Sequence, residues 1–184
     1  MKFEPAGKRL EILKEVIKEL ARVAVLRFPT NATDILYWQE TEATARKLRV
    51  EIKPTEARRA DDFEAAFTTA VQWKAQALVV FDETLALTHK AQIVALATKY
   101  HLPAIYSWRE FPEEGGLMSY GLNLVEMFRS LATFVDKIVK GSTPADLPVE
   151  QPTRFELVVN MKSAKALGVT VPPTLLAFAT ELIE

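Results

Sequence analysis

The chain of 184 residues contains no cysteine. That excludes a disulfide framework, a thiolate nucleophile and a cysteine-ligated metal site. Histidine is scarce: His89 and His101 stand in unlike contexts, which argues against a histidine-rich metal centre. No apolar run approaches the ~20 residues of a membrane-spanning helix. The opening MKFEPAGKRLEILKEV lacks the apolar core of a signal peptide and reads as amphipathic helix. No excess of one charge is present either. A formal net charge of −1 gives no footprint for nucleic acid or an anionic membrane. The glycines form neither a GxGxxG turn nor a GxxxxGK[ST] loop, and no G-x-S-x-G elbow occurs. What is there is 49% apolar and 26% charged, the balance of an ordinary globular chain, and of a length for one domain with a small appendage.

Apolar spacing then alternates between helical and strand periods. Lys8–Leu20 carries Leu10, Leu13, Ile17 and Leu20 at helical spacing. Val23–Phe28, apolar except for Arg27, predicts a buried strand. Further helices are expected over Asp34–Leu48, Phe63–Trp73 and Leu85–Tyr100, and strands over Arg49–Lys53, Ala77–Phe81 and Ala104–Tyr106. This alternation predicts an α/β fold, a parallel sheet with helices on both faces. A charged segment follows Tyr106, and the Gly115-Gly116 pair frees the backbone to turn sharply. It reads as a crossover between two sheets or as a plain loop between neighbouring strands. Asn123–Lys140 predicts a long helix with Leu124, Phe128, Leu131, Val135 and Ile138 in one stripe, stopped by Gly141. Ser142–Thr153, with Pro144, Pro148 and Pro152, reads as an extended connector. A strand over Phe155–Val159 and helices over Met161–Leu167 and Pro173–Ile183 complete the chain.

In open parallel sheets, ligands sit beyond the carboxyl ends of the strands. That rule selects Pro29–Asn31, Pro54–Thr55, Asp82–Thr84 and Ser107–Arg109. Asp82 follows a buried strand, where a carboxylate either receives a ligand ammonium or caps the next helix. Thr30 and Asn31 offer a hydroxyl and an amide beside a helix N-terminus, for a ligand carboxylate or for capping alone. Trp108, beside Ser107, can stack on a planar ligand or pack the hinge. Arg109 can clamp a carboxylate or pair with Glu110 on the surface. An acidic pair to hold Mg²⁺ after the first strand is missing, since Arg27-Phe28-Pro29 stands there, so a receiver-like phosphoacceptor role for Asp82 fails.

The words SWREFPEEGGLMSYG and KIVKGSTPADLPVEQPTRFELVVNMKSAKALGVTVPP resemble the substrate-binding proteins of ABC transporters. The nearest branch is the group related to tryptophan- and tyrosine-binding lipoproteins. The resemblance runs from Gly7 to Glu184 and implies the C-terminal lobe of a type I periplasmic-binding-protein fold, without the signal peptide and most of the first lobe. It divides the chain into an α/β lobe at 1–113, a crossover segment at 114–145 belonging to the other lobe, and a return to the first lobe at 146–184. Ser119 and Tyr120 would join Thr30, Asn31, Asp82, Ser107, Trp108 and Arg109 at the ligand rim. The implied function is capture of a small, amino-acid-like ligand for an ABC permease, without catalysis, metal or cofactor. The implied location is periplasmic, or cytoplasmic if the chain is complete. Arg27-Phe28 departs from the smaller or amide-bearing residues of many relatives. Burial of the Leu124–Ile138 stripe implies either a fold-back or a two-fold homodimer, the latter being the expectation. The rivals are a cytoplasmic structural or regulatory oligomerising domain and a small hydrolase.

Overall fold

The computed structural model describes residues 4–143, 147 and 154–184. The sheet is built on β1 (Arg22–Arg27), whose residues Val23–Leu26 are buried because helices cover both faces. It lies between β2 (Glu51–Glu56) and β3 (Ala77–Val80); β4 (Ala104–Tyr106) and β5 (Met118–Leu122) follow, all parallel. β6 (Phe155–Asn160) pairs antiparallel with β5, and β7 (Glu181–Ile183) closes the far edge parallel to β6. The order β2-β1-β3-β4-β5-β6-β7 puts the fully apolar β3 inside and the half-exposed β2 at the edge, as the sequence predicts. α1 (Glu4–Val16) and α2 (Asp34–Leu48) pack together on one face, α1 reaching β3, β4 and β5. α3 (Phe63–Gln72) and α5 (Lys90–Lys99) pack together on the other, the side set by right-handed crossovers.

Three elements differ from expectation. β2 runs on through Pro54 to Glu56, because an edge strand tolerates a residue with no N–H to donate. The helix expected over Leu85–Tyr100 breaks at His89 (φ −108°, ψ 28°) into α4 (Thr84–Thr88) and α5. The last helix stops early as α9 (Pro173–Phe178), after α8 (Met161–Ala166). Thr180 N–H donates to Leu157 O at 2.8 Å and Leu157 N–H to Thr180 Oγ1 at 3.2 Å, which draws the final residues into β7. With few glycines available, turns after helices use Glu19, Arg49, Lys74 and His101 at φ of 58°, 55°, 59° and 49°, at a cost of roughly 1 kcal/mol each.

A short helix, α6 (Glu110–Glu113), occupies the crossover. Leu117–Leu122, within the segment assigned by resemblance to another lobe, joins this sheet: β5 fills the gap between β4 and β6. A Cβ on Gly121 would lie 1.9 Å from Ser107 O, so only glycine permits that approach. Asn123 then accepts the Glu126 N–H at 3.0 Å and caps α7 (Leu124–Val139). Gly141, at φ 103°, follows its end, where a C′ glycine is expected. Val125, Phe128, Leu131, Val135, Ile138 and Val139 are exposed along α7, so no fold-back covers the stripe among the described residues. The side chain of Leu124, and Pro144, Pro148 and Pro152 of the connector, lie outside the described residues.

Candidate site at the carboxyl ends of the strands

β3 delivers Asp82 to the rim, with its side chain 28% exposed. Its Oδ1 lies 2.8 Å from Arg9 Nη2 and also accepts the Ser107 hydroxyl from the end of β4. The N-cap of α4 is Glu83, whose side chain makes no capping bond, so Asp82 is not the cap of that helix. Asn31, in the loop after β1, donates through Nδ2 to Asp82 O at 3.1 Å and to Glu83 Oε2 at 2.7 Å. Its Oδ1 accepts from Thr33 N and Thr33 Oγ1, at 2.9 and 2.7 Å. Asn31 therefore ties two strand-end loops together. Thr30 beside it is exposed.

Arg9 was not visible as a site residue in the sequence, yet it is central. It is 1% exposed on α1, and its Nε donates to the Tyr120 carbonyl at 2.8 Å while Nη2 meets Asp82. Nη1 is buried without a hydrogen-bond partner among the described residues. A signal existed: Arg9 precedes Ile12, Leu13 and Val16 at i+3, i+4 and i+7, on the buried stripe. Tyr37 of α2 is the second such residue. Its ring meets Phe81 edge-on at 5.7 Å. Burial pushes the phenol pKa up, the Asp82 charge pushes it further, and Arg9 opposes both. Tyr37 thus shares the electrostatic field of the Arg9–Asp82 pair.

The other expected residues lie differently. Arg109 donates to Glu113 Oε1 at 2.8 Å and Glu181 Oε2 at 2.6 Å, and lies 3.6 Å from Glu156 Oε2. Those hydrogen bonds, Glu113 foremost, hold its pKa above the ordinary arginine range. Trp108 is half-buried against the core. Ser119 is buried with its hydroxyl unpartnered among the described residues, and Tyr120 stacks on Phe155 at 5.6 Å. The N-terminal end of α2 already holds an anion: buried Asp34 accepts from Phe28 N at 3.1 Å and pairs with Arg27, whose guanidinium lies 4.6 Å from the centre of the Trp38 ring. Among the described residues, no group of three or more histidines and carboxylates is placed to hold a metal, and no helix is long and apolar enough to cross a membrane.

Comparison with solved structures finds the same fold. A conserved domain protein from Vibrio cholerae O1 biovar eltor superposes with a TM-score of 0.87 at 21% identity, over 97% of this chain and 60% of that one. The ABC domain in complex with L-Trp from Streptococcus pneumonia gives 0.87 at 22% identity, with the same coverages. A ligand-free, open substrate-binding protein with adhesive properties from Clostridium difficile gives 0.71 at 20% identity, over 96% of this chain and 59% of that one. The chain thus spans about three fifths of the length of these neighbours. Comparison with curated proteins returns no match. The family model for the ABC transporter substrate binding protein matches residues 2–183, and the chain belongs to that family.

Proposed function

We propose that this chain forms one lobe of a non-catalytic solute-binding protein that delivers its ligand to an ABC permease outside the cytoplasm. The ligand read from the rim is a small amine of the amino-acid type, held at its ammonium end. One observation carries this reading: Asp82 stands at the end of a central strand with Oδ1 engaged by Arg9 and Ser107, while its side chain remains partly open. A carboxylate fixed in this way is pre-organised to accept an ammonium. Glu83 adds a carboxylate nearby, and Tyr37 adds an aromatic ring beside Phe81. One structural neighbour was solved with L-Trp, which suggests an indole series as the probe.

Isothermal titration with L-tryptophan, tryptamine and indole-3-propionate tests the reading. The two amines are expected to bind and the acid not to, and Asp82→Asn is expected to abolish amine binding. At ~100 times its Kd, a bound amine would add roughly 2.7 kcal/mol to stability. Indole-3-propionate binding as tightly as tryptamine would overturn it.

The exposed face of α7 belongs to this reading as a docking face for a second folded unit. For the chain by itself, that unit is a second copy across a two-fold axis. Antiparallel α7 helices would set Phe128 opposite Val135 and Glu126 opposite Lys137, opposing both charge and helix dipole.

A further inference from the structure

A groove of about 350 Å³ lies between α5 and α8, and none of its lining residues belongs to the rim at Asp82. Val94 and Ala97 of α5, Ala166 of α8 and Leu117 supply apolar walls. Its volume reaches the range of small-molecule sites and far exceeds the ~15 Å³ that a single structural water requires. No carboxylate lines it; its titratable residues are Lys162, His101 and Tyr106. Tyr106 is fully buried, with its ring stacked on Phe111 at 4.4 Å and its hydroxyl without a partner among the described residues. The turn over it is built from glycine: a Cβ on Gly116 would lie 2.6 Å from the Tyr106 ring. A buried orphan donor beneath an apolar groove edged by the exposed Lys162 ammonium describes a ligand by its complement.

We propose that this groove is a second binding site, for a small monocarboxylate with an apolar tail, in which the Tyr106 hydroxyl donates to a ligand oxygen and Lys162 balances the charge. Burial keeps that phenol protonated well above its ordinary range, so it remains a donor throughout the physiological range. The site shares no residue with the amine rim and does not depend on that reading.

The test uses the full chain with octanoate as the probe, and octylamine as its charge-reversed match, in isothermal titration. Saturable octanoate binding is expected, at least tenfold tighter than octylamine and not displaced by L-tryptophan. Ala166→Phe, on the exposed side of α8, is expected to block it, and Tyr106→Phe to weaken it at least tenfold. Lys162→Glu is expected to reverse the preference between the two probes. The proposal is overturned if octanoate does not saturate, binds no better than octylamine, competes with L-tryptophan, or is indifferent to Ala166→Phe. That last variant decides the matter even if Tyr106→Phe fails to fold.

Discussion

Arg9 joins a helix, a strand carbonyl and the rim carboxylate through one side chain, and it also competes with any ligand cation for Asp82. Arg9→Met keeps the length of the side chain and removes the charge. It is expected to destabilise the unliganded protein by about 1–3 kcal/mol in urea denaturation, because the charged hydrogen bond to Tyr120 O and the ion pair with Asp82 are both lost. The same variant is expected to tighten tryptamine binding, since Asp82 loses its internal partner; weaker binding would show that Arg9 instead holds Asp82 in place for the ligand. Tyr106 makes a pH prediction. Its folded pKa is raised by burial above the ordinary 10.0, so its contribution is fully present below pH 10 and is lost as pH rises further and the unfolded chain alone ionises. Tyr106→Phe is expected to flatten the alkaline loss of stability and, without ligand, to add about 1 kcal/mol by removing an unsatisfied hydroxyl. A destabilised variant would show that a buried water serves that hydroxyl. The place of Asp82 just beyond a strand end was legible because strand ends can be read from apolar runs. Arg9 was not, because a charge on a buried stripe reveals its purpose only when its partners, 73 and 111 positions later, are in place.

The strands were legible where burial on both faces left an uninterrupted apolar run, as in Val23–Leu26 and Ala77–Val80. β7 was hidden because Glu181–Ile183 is too short for any period, and its conformation is imposed by β6. The sequence likewise leaves open whether the crossover enters another sheet; register with Tyr106 and Val158 keeps Ser119 in this one. Gly121 is the residue on which that placement turns. Gly121→Ala is expected to cost on the order of 3 kcal/mol by forcing β4 and β5 apart, seen as a lower midpoint in urea denaturation; a neutral outcome would mean the strands pack less closely. At the next element, Asn123 caps α7 and also donates to buried Glu156 at 2.8 Å. Asn123→Ala is expected to cost about 1 kcal/mol for the cap alone and to fray the first turn of α7 in hydrogen exchange.

At the scale of the molecule, α7 presents Phe128 at 63% and Val139 at 80% exposure, a row of apolar side chains of the kind that marks an interaction face. Light scattering during size exclusion at micromolar concentration is expected to give a dimer mass for this chain and a monomer mass for Leu131→Glu. A wild-type monomer would show that the face waits for a different partner. The stripe was legible as periodicity, but its occupant was not, since a helix face specifies apolarity and leaves the covering surface undefined. The register of β5 with β6 carries a further consequence. Leu122 and Phe155 are paired, so the chain departs for α7 and comes back at adjacent points. The excursion is therefore excisable in topological terms: an Asn-Gly turn joining those two residues would convert β5 and β6 into an ordinary hairpin. Such a shortened protein is expected to unfold cooperatively and to run as a monomer. The seam at Leu122 and Phe155 thus separates the excursion from the rim at Asp82, so that either can change without re-threading the other.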